Sequence, residues 1–279
     1  MVLTTSTGAI FGTGTNGAYV EDVAKVTKLK NSPAAALGGQ MIINTEWGAF
    51  NNTVCVYYPR GAKGFEHRPY PLTQRSHLPT TPFDNKLDRE SINPRFQAFE
   101  KFISGMYLGE ITRNVLLALI DAAPKPILFG GKATNAINKH YGLDSAVMSD
   151  IEGAWGASKE SEDTTTGKSL SSPEWESSLS AAVRDRLQRV RGVIIEKLGF
   201  AAADVSLRDA AIVRRVVTMV AERAAKLSGC AVAATLVQTE RAVLGGGPPP
   251  PPRKGEETKI GVGVDGRLAS LLTSHRWVN

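Results

Sequence analysis

The sequence predicts an α/β protein in which a mixed sheet packs against helices. Three segments with the composition of strands lie within residues 8–47, and several helical segments follow them. A short apolar strand at 259–266 comes late in the chain. An all-helical bundle has no strands and a β-sandwich has no long helices, so this order of elements favours a mixed sheet covered by helices.

The composition is that of an ordinary globular protein. Of the 279 residues, 42% are hydrophobic and 22% are charged, which is sufficient for a sizeable core. No run of about 18 apolar residues indicates a membrane span, and the first ten residues lack the features of a signal peptide. The two cysteines, Cys55 and Cys230, are too few for a disulfide framework and fit a reducing, cytoplasmic setting.

The net charge of +6 gives no sign of a nucleic-acid partner. The 33 basic residues are scattered over predicted helix faces, and aromatic residues make up only 7% of the chain. Proteins that bind nucleic acid concentrate basic residues in one patch and place aromatic side chains among them. We therefore expect neither nucleic acid nor a membrane as a partner.

The three early strands are predicted at 8–15, 17–23 and 40–47. The first two flank the dipeptide Asn16-Gly17, which is typical of a tight hairpin turn. The third is rich in apolar residues and then runs into Asn44 and Glu46. Residues 51–78 follow with prolines and basic residues but no sustained period, and we interpret them as an irregular insertion.

The first long helix is predicted to begin at Asn93, a suitable N-cap, with Pro94 as its first helical residue. Its pattern continues to residue 123 and includes Gly105 and Gly109, which lie one turn apart on the same face. Each glycine costs about 1 kcal/mol relative to alanine in an exposed helix. Their presence therefore predicts a close approach by another part of the molecule.

Two further helices are predicted in the second half of the chain. One begins at Ser172-Pro173 and ends near Gly199, and the next begins with a capping box formed by Ser206 and Asp209. A late apolar segment, KIGVGVDG, is predicted to be a short buried strand. The connecting segments are a polar loop at 157–172 and an exposed loop rich in glycine and proline at 245–257.

The stretch GTGTN, residues 12–16, combines two glycines with two hydroxyls and could contact a phosphate through backbone N–H groups and threonine side chains. A plain turn is the alternative, because the stretch matches neither a Walker A loop nor a Rossmann fingerprint.

Glu46 and Glu100, with the amides of Asn16 and Asn44, have the chemistry that sugar recognition requires. A carboxylate accepts hydrogen bonds from neighbouring hydroxyls, and an amide both donates and accepts. Taken singly, each glutamate could equally be a surface or capping charge. The four histidines show no ligand spacing and neither cysteine has a basic neighbour, so we predict no metal centre and no nucleophile.

Taken together, five stretches resemble the hexokinase family, and most closely its fungal-type glucokinases. They are GAIFGTGTNGAYVE, INTEWGAF, LPTTPFDNKLDRESINP, FEKFISGMYLGEITRNVL and GVGVDG. The resemblance runs through most of the chain outside residues 51–77. It implies the large lobe of a hexokinase, with an actin-like (ribonuclease H-like) ATPase fold, over residues 1–279. It also implies ATP- and Mg²⁺-dependent phosphorylation of glucose or a related hexose at its 6-hydroxyl, the first step of glycolysis.

The resemblance assigns roles to individual residues. The hexose would be bound by Asn16, Glu46 and Glu100. Thr13 would contact the transferring phosphate, and Ser145 and Ser149 occupy nucleotide-contacting places. The full set of nucleotide residues implied in this way is Thr13, Gly105, Met106, Ser145, Ser149, Asp265 and Gly266.

Some family features do not match. The family's catalytic base is an aspartate in an Asn-Asp-Thr-Val-Gly segment before GAIFGTGTN, where MVLTTST stands here. The small lobe and a Gly-Ser-Gly-rich nucleotide loop are also expected to be missing. We therefore assign no catalytic residue and expect a polypeptide that is inactive, or nearly so, alone. The alternatives are a non-catalytic sugar-binding regulator, a helical interaction protein without a ligand, and an incomplete gene model of an ordinary glucokinase.

Overall fold

A computed structural model describes residues 5–52, 77–156, 170, 172, 174–245, 247 and 261–266. Most of the predicted insertion at 51–78 and most of the predicted loops at 157–172 and 245–257 lie outside these residues. The described residues group into two compact units. Unit 1 contains those up to Ile10, from Gly14 to Phe102 and from Ala231 to Gly263. Unit 2 contains Phe11–Thr13, Ile103–Cys230 and those from Val264 onward.

Four strands form one sheet. They are β1 (Thr5–Phe11), β2 (Thr15–Asp22), β3 (Gln40–Asn44) and β4 (Gly261–Asp265), and their order is β3-β2-β1-β4. β2 and β3 are antiparallel, with Ala18 opposite Asn44. β1 and β2 are neighbours joined by three residues and therefore form a hairpin, because parallel strands need a long crossover.

The predicted hairpin turn at Asn16-Gly17 is wrong. Both residues lie inside β2, and the chain reverses at residues 12–14. A two-residue Asn-Gly turn requires a positive φ at both positions, and neither residue has one. Instead the Thr15 hydroxyl donates to the carbonyl of Ile10 at 3.0 Å and fixes the start of β2.

The prediction that the late strand is buried is also wrong. In β4, Val262 is 36% exposed and Val264 is 51% exposed. β3 is exposed along most of its length as well, and Ile42 is 71% exposed. The physical reason is that both strands occupy outer positions in the sheet order, where a strand has only one neighbour.

The described residues form eight α-helices. They are α1 (Pro33–Leu37), α2 (Pro82–Glu90), α3 (Glu100–Ile103), α4 (Gly105–Ile120), α5 (Asn135–Asn138), α6 (Ser145–Trp155), α7 (Ala181–Leu198) and α8 (Leu207–Gln238). In unit 2, α4 packs against α6 and α6 packs against α7. Leu108, Met148 and Ile194 are fully buried there. None of these eight helices combines the length and the apolar character that a membrane crossing needs.

The helix predicted to start at Asn93 starts at Glu100 instead, and a separate helix that the sequence does not predict, α2, precedes it. α2 begins at Pro82, where Thr81 and Asp84 form a reciprocal capping box. The backbone N–H of Thr81 donates to Asp84 Oδ2 at 2.8 Å. α2 ends at Glu90, so Asn93 caps neither α2 nor the helix that follows.

The long helix predicted to continue to residue 123 is divided. Residues 91–99 form turns, and Arg95 and Gln97 have φ values of 71° and 52°, which an α-helix does not accommodate. A second break occurs at Ser104, which has extended backbone angles between α3 and α4. Gly105 therefore begins α4 and does not lie in a helix interior.

The two later helices confirm the prediction in part. α7 begins later than predicted, after Ser180, whose hydroxyl accepts a backbone N–H of the first turn. It ends as predicted before Gly199, which has a φ of 72°. The predicted capping box of α8 is present, because the N–H of Ser206 donates to Asp209 Oδ2 at 2.8 Å and the N–H of Asp209 donates back to Ser206 Oγ at 3.1 Å.

Candidate functional site

Three polar side chains meet where β2 and β3 lie side by side in unit 1. Asn16 Nδ2 donates to Asn44 Oδ1 at 2.7 Å and to Glu46 Oε1 at 3.3 Å. Asn44 Nδ2 donates to the same oxygen of Glu46. Asn44 and Glu46 are exposed and Asn16 is half-buried. We call these three residues the amide–carboxylate network.

Glu46 reaches this network because the chain turns sharply after β3. Its backbone is left-handed, with φ 50° and ψ 35°. On one side of it, the N–H and the hydroxyl of Thr45 both donate to the carbonyl of Gly17 at 2.9 Å. On the other side, the indole of buried Trp47 donates to Thr15 Oγ1 at 2.9 Å. The turn is therefore anchored to β2 at both of its ends.

Two glycines make room around this turn. A Cβ on Gly17 would lie 2.3 Å from the Trp47 ring, and one on Gly48 would lie 2.7 Å from Gln97 Oε1. The Cβ atom of Glu100 is 3.4 Å from the same position at Gly48. Any larger residue at Gly17 or Gly48 would push these side chains away.

Glu100, the first residue of α3, approaches the same part of β2. Its Oε2 accepts the backbone N–H of Thr15 at 3.0 Å. A Cβ on Gly14 would lie 2.9 Å from this oxygen, so a larger residue there would displace the carboxylate. Since Thr15 directly precedes Asn16, the Glu100 carboxylate and the amide–carboxylate network lie at one place in unit 1.

A buried ion pair fixes the start of α3. Lys101 Nζ lies 2.8 Å from Asp88 Oδ1 and donates to the carbonyl of Asn93 at 2.7 Å. Asp88 also accepts the backbone N–H of Arg95 at 3.1 Å. The pair thus ties the turns at 91–99 to α2 and sets the position from which Glu100 extends.

Several predicted nucleotide residues lie around the start of α4 in unit 2. The N–H of Gly105 donates to the carbonyl of Gly12 at 2.8 Å. Gly266 has a φ of 120°, and a Cβ there would lie 2.3 Å from the carbonyl oxygen of Phe11. Thr13, the next residue after Gly12, is exposed. Three chain segments therefore meet with little but backbone between them.

Gly109, one turn after Gly105, packs against the start of α6. A Cβ on Gly109 would lie 2.0 Å from the carbonyl oxygen of Leu143 and 3.0 Å from the nitrogen of Ser145. The close approach predicted from the two glycines is therefore confirmed at Gly109. Ser149 lies one turn farther along α6, where its hydroxyl donates to the carbonyl of Ser145 at 3.4 Å.

The remaining two nucleotide candidates are exposed. Met106 is 41% exposed, and Asp265 accepts the N–H of Gly266 at 2.8 Å. Thr13 adds an exposed hydroxyl, which can both donate and accept a hydrogen bond. Asp265 supplies the one carboxylate among the seven candidates.

Three residues that shape the turn carrying Glu46 are not predicted from the sequence: Thr15, Trp47 and Gln97. Thr15 and Trp47 hold the turn that presents Glu46, yet neither residue type signals this role by itself. Gln97, whose amide lies beside Gly48, falls in a segment predicted to be helical. A spacing of three residues between Gln97 and Glu100 is no signal when the segment between them is not a regular helix.

Comparison with known proteins shows the family to which the chain belongs. A family model described as Hexokinase matches residues 6–61 and 71–276. These ranges contain every hexose and nucleotide candidate named above. The chain belongs to the hexokinase family.

Similar curated proteins are also glucokinases and hexokinases. The chain is 31% identical to a glucokinase of Aspergillus niger over 271 residues, which are 94% of this chain and 42% of the relative. It is also 31% identical to Hexokinase-2 of Equus caballus over 265 residues, 95% of this chain and 21% of the relative. The chain therefore spans about two fifths or less of the length of these curated relatives.

A solved structure supports the fold. The hexokinase from Schistosoma mansoni complexed with glucose superposes with a TM-score of 0.63 and 26% identity, covering 95% of this chain and 43% of that chain. The predicted class is confirmed: the protein has the actin-like fold of hexokinases, with a mixed sheet and packed helices. Phosphorylation of sugars is the activity of this family.

Proposed function

We propose that the chain binds a hexose such as glucose through Asn16, Glu46 and Glu100, as part of ATP-dependent phosphorylation of the sugar 6-hydroxyl. One observation carries this proposal: three side chains far apart in sequence come to one place in unit 1. Two carboxylates and an amide at one surface match a ring of neighbouring hydroxyls, which offers both donors and acceptors.

The network can exchange its internal bonds for bonds to a sugar. The contact from Asn16 to Glu46 is 3.3 Å long, and its replacement by sugar hydroxyls would leave both side chains satisfied. Glu100 uses Oε2 for the N–H of Thr15. No described residue bonds to its Oε1, which therefore remains available for a sugar hydroxyl. Asn44 orients Glu46 and supplies a further amide.

The nucleotide candidates complete the proposal. Thr13, Ser145 and Ser149 offer hydroxyls, and Gly105 and Gly266 keep the backbone open to a ligand. When bound, ATP with Mg²⁺ supplies the phosphoryl group. We place the activity in the cytoplasm, a setting that suits an exposed free thiol such as that of Cys230.

Proton transfer limits what these residues do by themselves. The 6-hydroxyl must lose its proton as its oxygen attacks phosphorus, and a positioned carboxylate normally accepts it. The family places this role on an aspartate of an Asn-Asp-Thr-Val-Gly segment, which these 279 residues do not contain. We therefore propose that a polypeptide of these residues holds a hexose and phosphorylates it very slowly, if at all, unless that segment is supplied.

Calorimetric titration of the 279-residue polypeptide with D-glucose tests the binding. We expect binding that Glu100→Gln weakens at least tenfold, because the neutral amide loses a charge-assisted acceptor. L-Glucose, with the opposite stereochemistry, is not expected to bind. Asp121→Asn, a change of an exposed carboxylate at the end of α4, is the matched control and is expected to leave binding unchanged.

Two results would contradict the proposal. An absence of heat with D-glucose, or equal affinity in the Glu100→Gln variant, would remove the hexose site. Glucose-dependent ADP production by the same polypeptide, lost in Glu100→Ala, would instead keep the hexose site and overturn the expectation of slow turnover. Binding without turnover would agree with both parts.

A further inference from the structure

Unit 2 contains a cavity of about 560 Å³ that none of the hexose or nucleotide candidates lines. Residues from three parts of the chain line it: 125–127 after α4, Arg208 in the first turn of α8, and, before α7, Leu170, Ser172, Trp175 and Glu176. Its volume lies within the range of about 300–1,000 Å³ that is usual for small-molecule sites.

The guanidinium of Arg208 is held in place by two backbone carbonyls. Its Nε donates to the carbonyl of Leu170 at 3.0 Å, and its Nη1 donates to the carbonyl of Ile127 at 3.2 Å. Both acceptors are neutral, and no carboxylate among the described residues pairs with this guanidinium. A guanidinium that is fixed in this way presents its remaining N–H groups in a planar fork that matches a two-oxygen anion.

Other lining groups are also donors. The side chain of Trp175 is buried, and its indole N–H has no acceptor among the described residues. Ser172 Oγ accepts the N–H of Glu174 at 3.3 Å, which leaves the hydroxyl proton available. Lys125 adds a second exposed cation. Ser172 and Lys125 therefore add donors to that of Arg208, and Trp175 contributes its ring to the wall.

Acceptors are scarce in the same cavity. Glu176 is the one carboxylate in the lining, and it lies 3.5 Å from Arg184. The apolar part of the wall comes from Pro126, Ile127 and the ring of Trp175. An excess of donors beside an apolar wall suits a ligand with an anionic head and an apolar body.

We propose that this cavity binds a small organic anion carrying a carboxylate or phosphate group on an aromatic or aliphatic body. Arg208 holds the anionic group, with Ser172 and Lys125 as further donors and the ring of Trp175 in the apolar wall. The ligand joins three chain segments, so it raises the melting temperature of the protein when bound.

Calorimetric titrations with phenyl phosphate and with benzoate test the site and distinguish the two head groups. Benzyl alcohol, which has the ring but no charge, is the neutral control. We expect Arg208→Gln to weaken binding of the better anion at least tenfold. Arg191→Gln is the matched control, because Arg191 is also held by backbone carbonyls, those of Ala202 and Val205, and does not line the cavity. We expect no change in that variant.

Two further variants guard against a folding defect in Arg208→Gln, which circular dichroism would reveal. Trp175→Phe makes the aromatic wall smaller, and Lys125→Gln removes an exposed cation. We expect each to weaken binding about threefold or more. Equal affinity in all three cavity variants and the wild type would overturn the proposal. Benzyl alcohol binding as tightly as either anion would also overturn it, because the cavity would then be merely apolar.

Discussion

The surroundings of the hexose candidates in unit 1 and of the nucleotide candidates in unit 2 differ in kind: side chains dominate the first and backbone dominates the second. In unit 1, Asn16, Asn44 and Glu46 bond to one another through side chains at the surface. In unit 2, Gly109 and Gly266 bring backbone against backbone with no room for a Cβ. Side chains at a surface can be removed at little cost to folding, whereas a close backbone approach cannot be widened without moving whole elements.

This difference predicts where affinity and stability separate. Substitutions within the amide–carboxylate network should change ligand affinity and leave unfolding nearly unaltered. Substitutions at the close approaches in unit 2, at Gly17, or in the buried ion pair at the start of α3 should lower the free energy of unfolding.

The largest loss in the free energy of unfolding is expected at the buried Lys101–Asp88 pair, which fixes the start of α3. Lys101→Met removes the ammonium group that pairs with buried Asp88, and breaking such a pair costs about 3–5 kcal/mol. Urea unfolding measures this loss. Lys132→Met is the control, because Lys132 forms an exposed pair with Asp204, and we expect a loss of about 1 kcal/mol or less. Equal losses in the two variants would show that the Lys101 pair is open to water.

The next largest loss in the free energy of unfolding is expected at Gly109, a close backbone approach in unit 2. Gly109→Ala places a methyl group 2.0 Å from the carbonyl oxygen of Leu143, and we expect a loss of about 2–3 kcal/mol because backbone must shift. Gly153→Ala in α6 is the matched control, since a Cβ there has nothing within 4 Å. It should gain about 0.5–1 kcal/mol from helix propensity. Unfolding in urea gives both values, and a neutral Gly109→Ala would contradict the close approach.

A smaller loss in the free energy of unfolding is expected at Gly17, where a substitution should also lower glucose affinity. Gly17→Ala displaces the ring of Trp47, and we expect a loss of about 1–2 kcal/mol in unfolding free energy. Because Trp47 anchors the turn that carries Glu46, glucose affinity should fall as well. Gly8→Ala, also in unit 1, meets nothing within 4 Å and serves as the control. Unchanged glucose affinity in Gly17→Ala would separate the turn from the hexose site.

The smallest effect on stability is expected within the network. Asn44→Ala removes an exposed amide, and we expect a change in unfolding free energy of at most about 0.5 kcal/mol. Glucose affinity should nevertheless fall roughly tenfold, since a hydrogen bond to a charged group is lost. Calorimetry and urea unfolding on the same samples check both statements. A large stability loss with unchanged affinity would reverse the assignment of the network.

The sequence predicts well what is decided within a few residues. The capping box of Ser206 and Asp209 and the end of α7 before Gly199 depend on local backbone geometry alone, and both are present. Asn93 fails as a cap because the residues after it are held in turns by Lys101 and Asp88, a pair that no local pattern reveals.

The same distinction applies to the candidate site. Chemistry and the family resemblance indicated Asn16, Glu46 and Glu100, because carboxylates and amides in a recognisable context carry their own signal. The turn predicted at Asn16-Gly17 is wrong because the chain reverses at residues 12–14, next to Thr15, which bonds to Ile10 and also to Glu100, 85 positions away along the chain. Long-range bonds of this kind become visible only once the fold is known.

The left-handed backbone of Glu46 sets stability against the hexose recognition that we propose for its carboxylate. Glycine adopts that conformation freely, whereas a glutamate there bears a strain of about 1 kcal/mol or more. A population selected only for thermal stability would therefore drift toward glycine at position 46 and lose the carboxylate. Retention of glutamate across many generations would mark continued selection for the ligand.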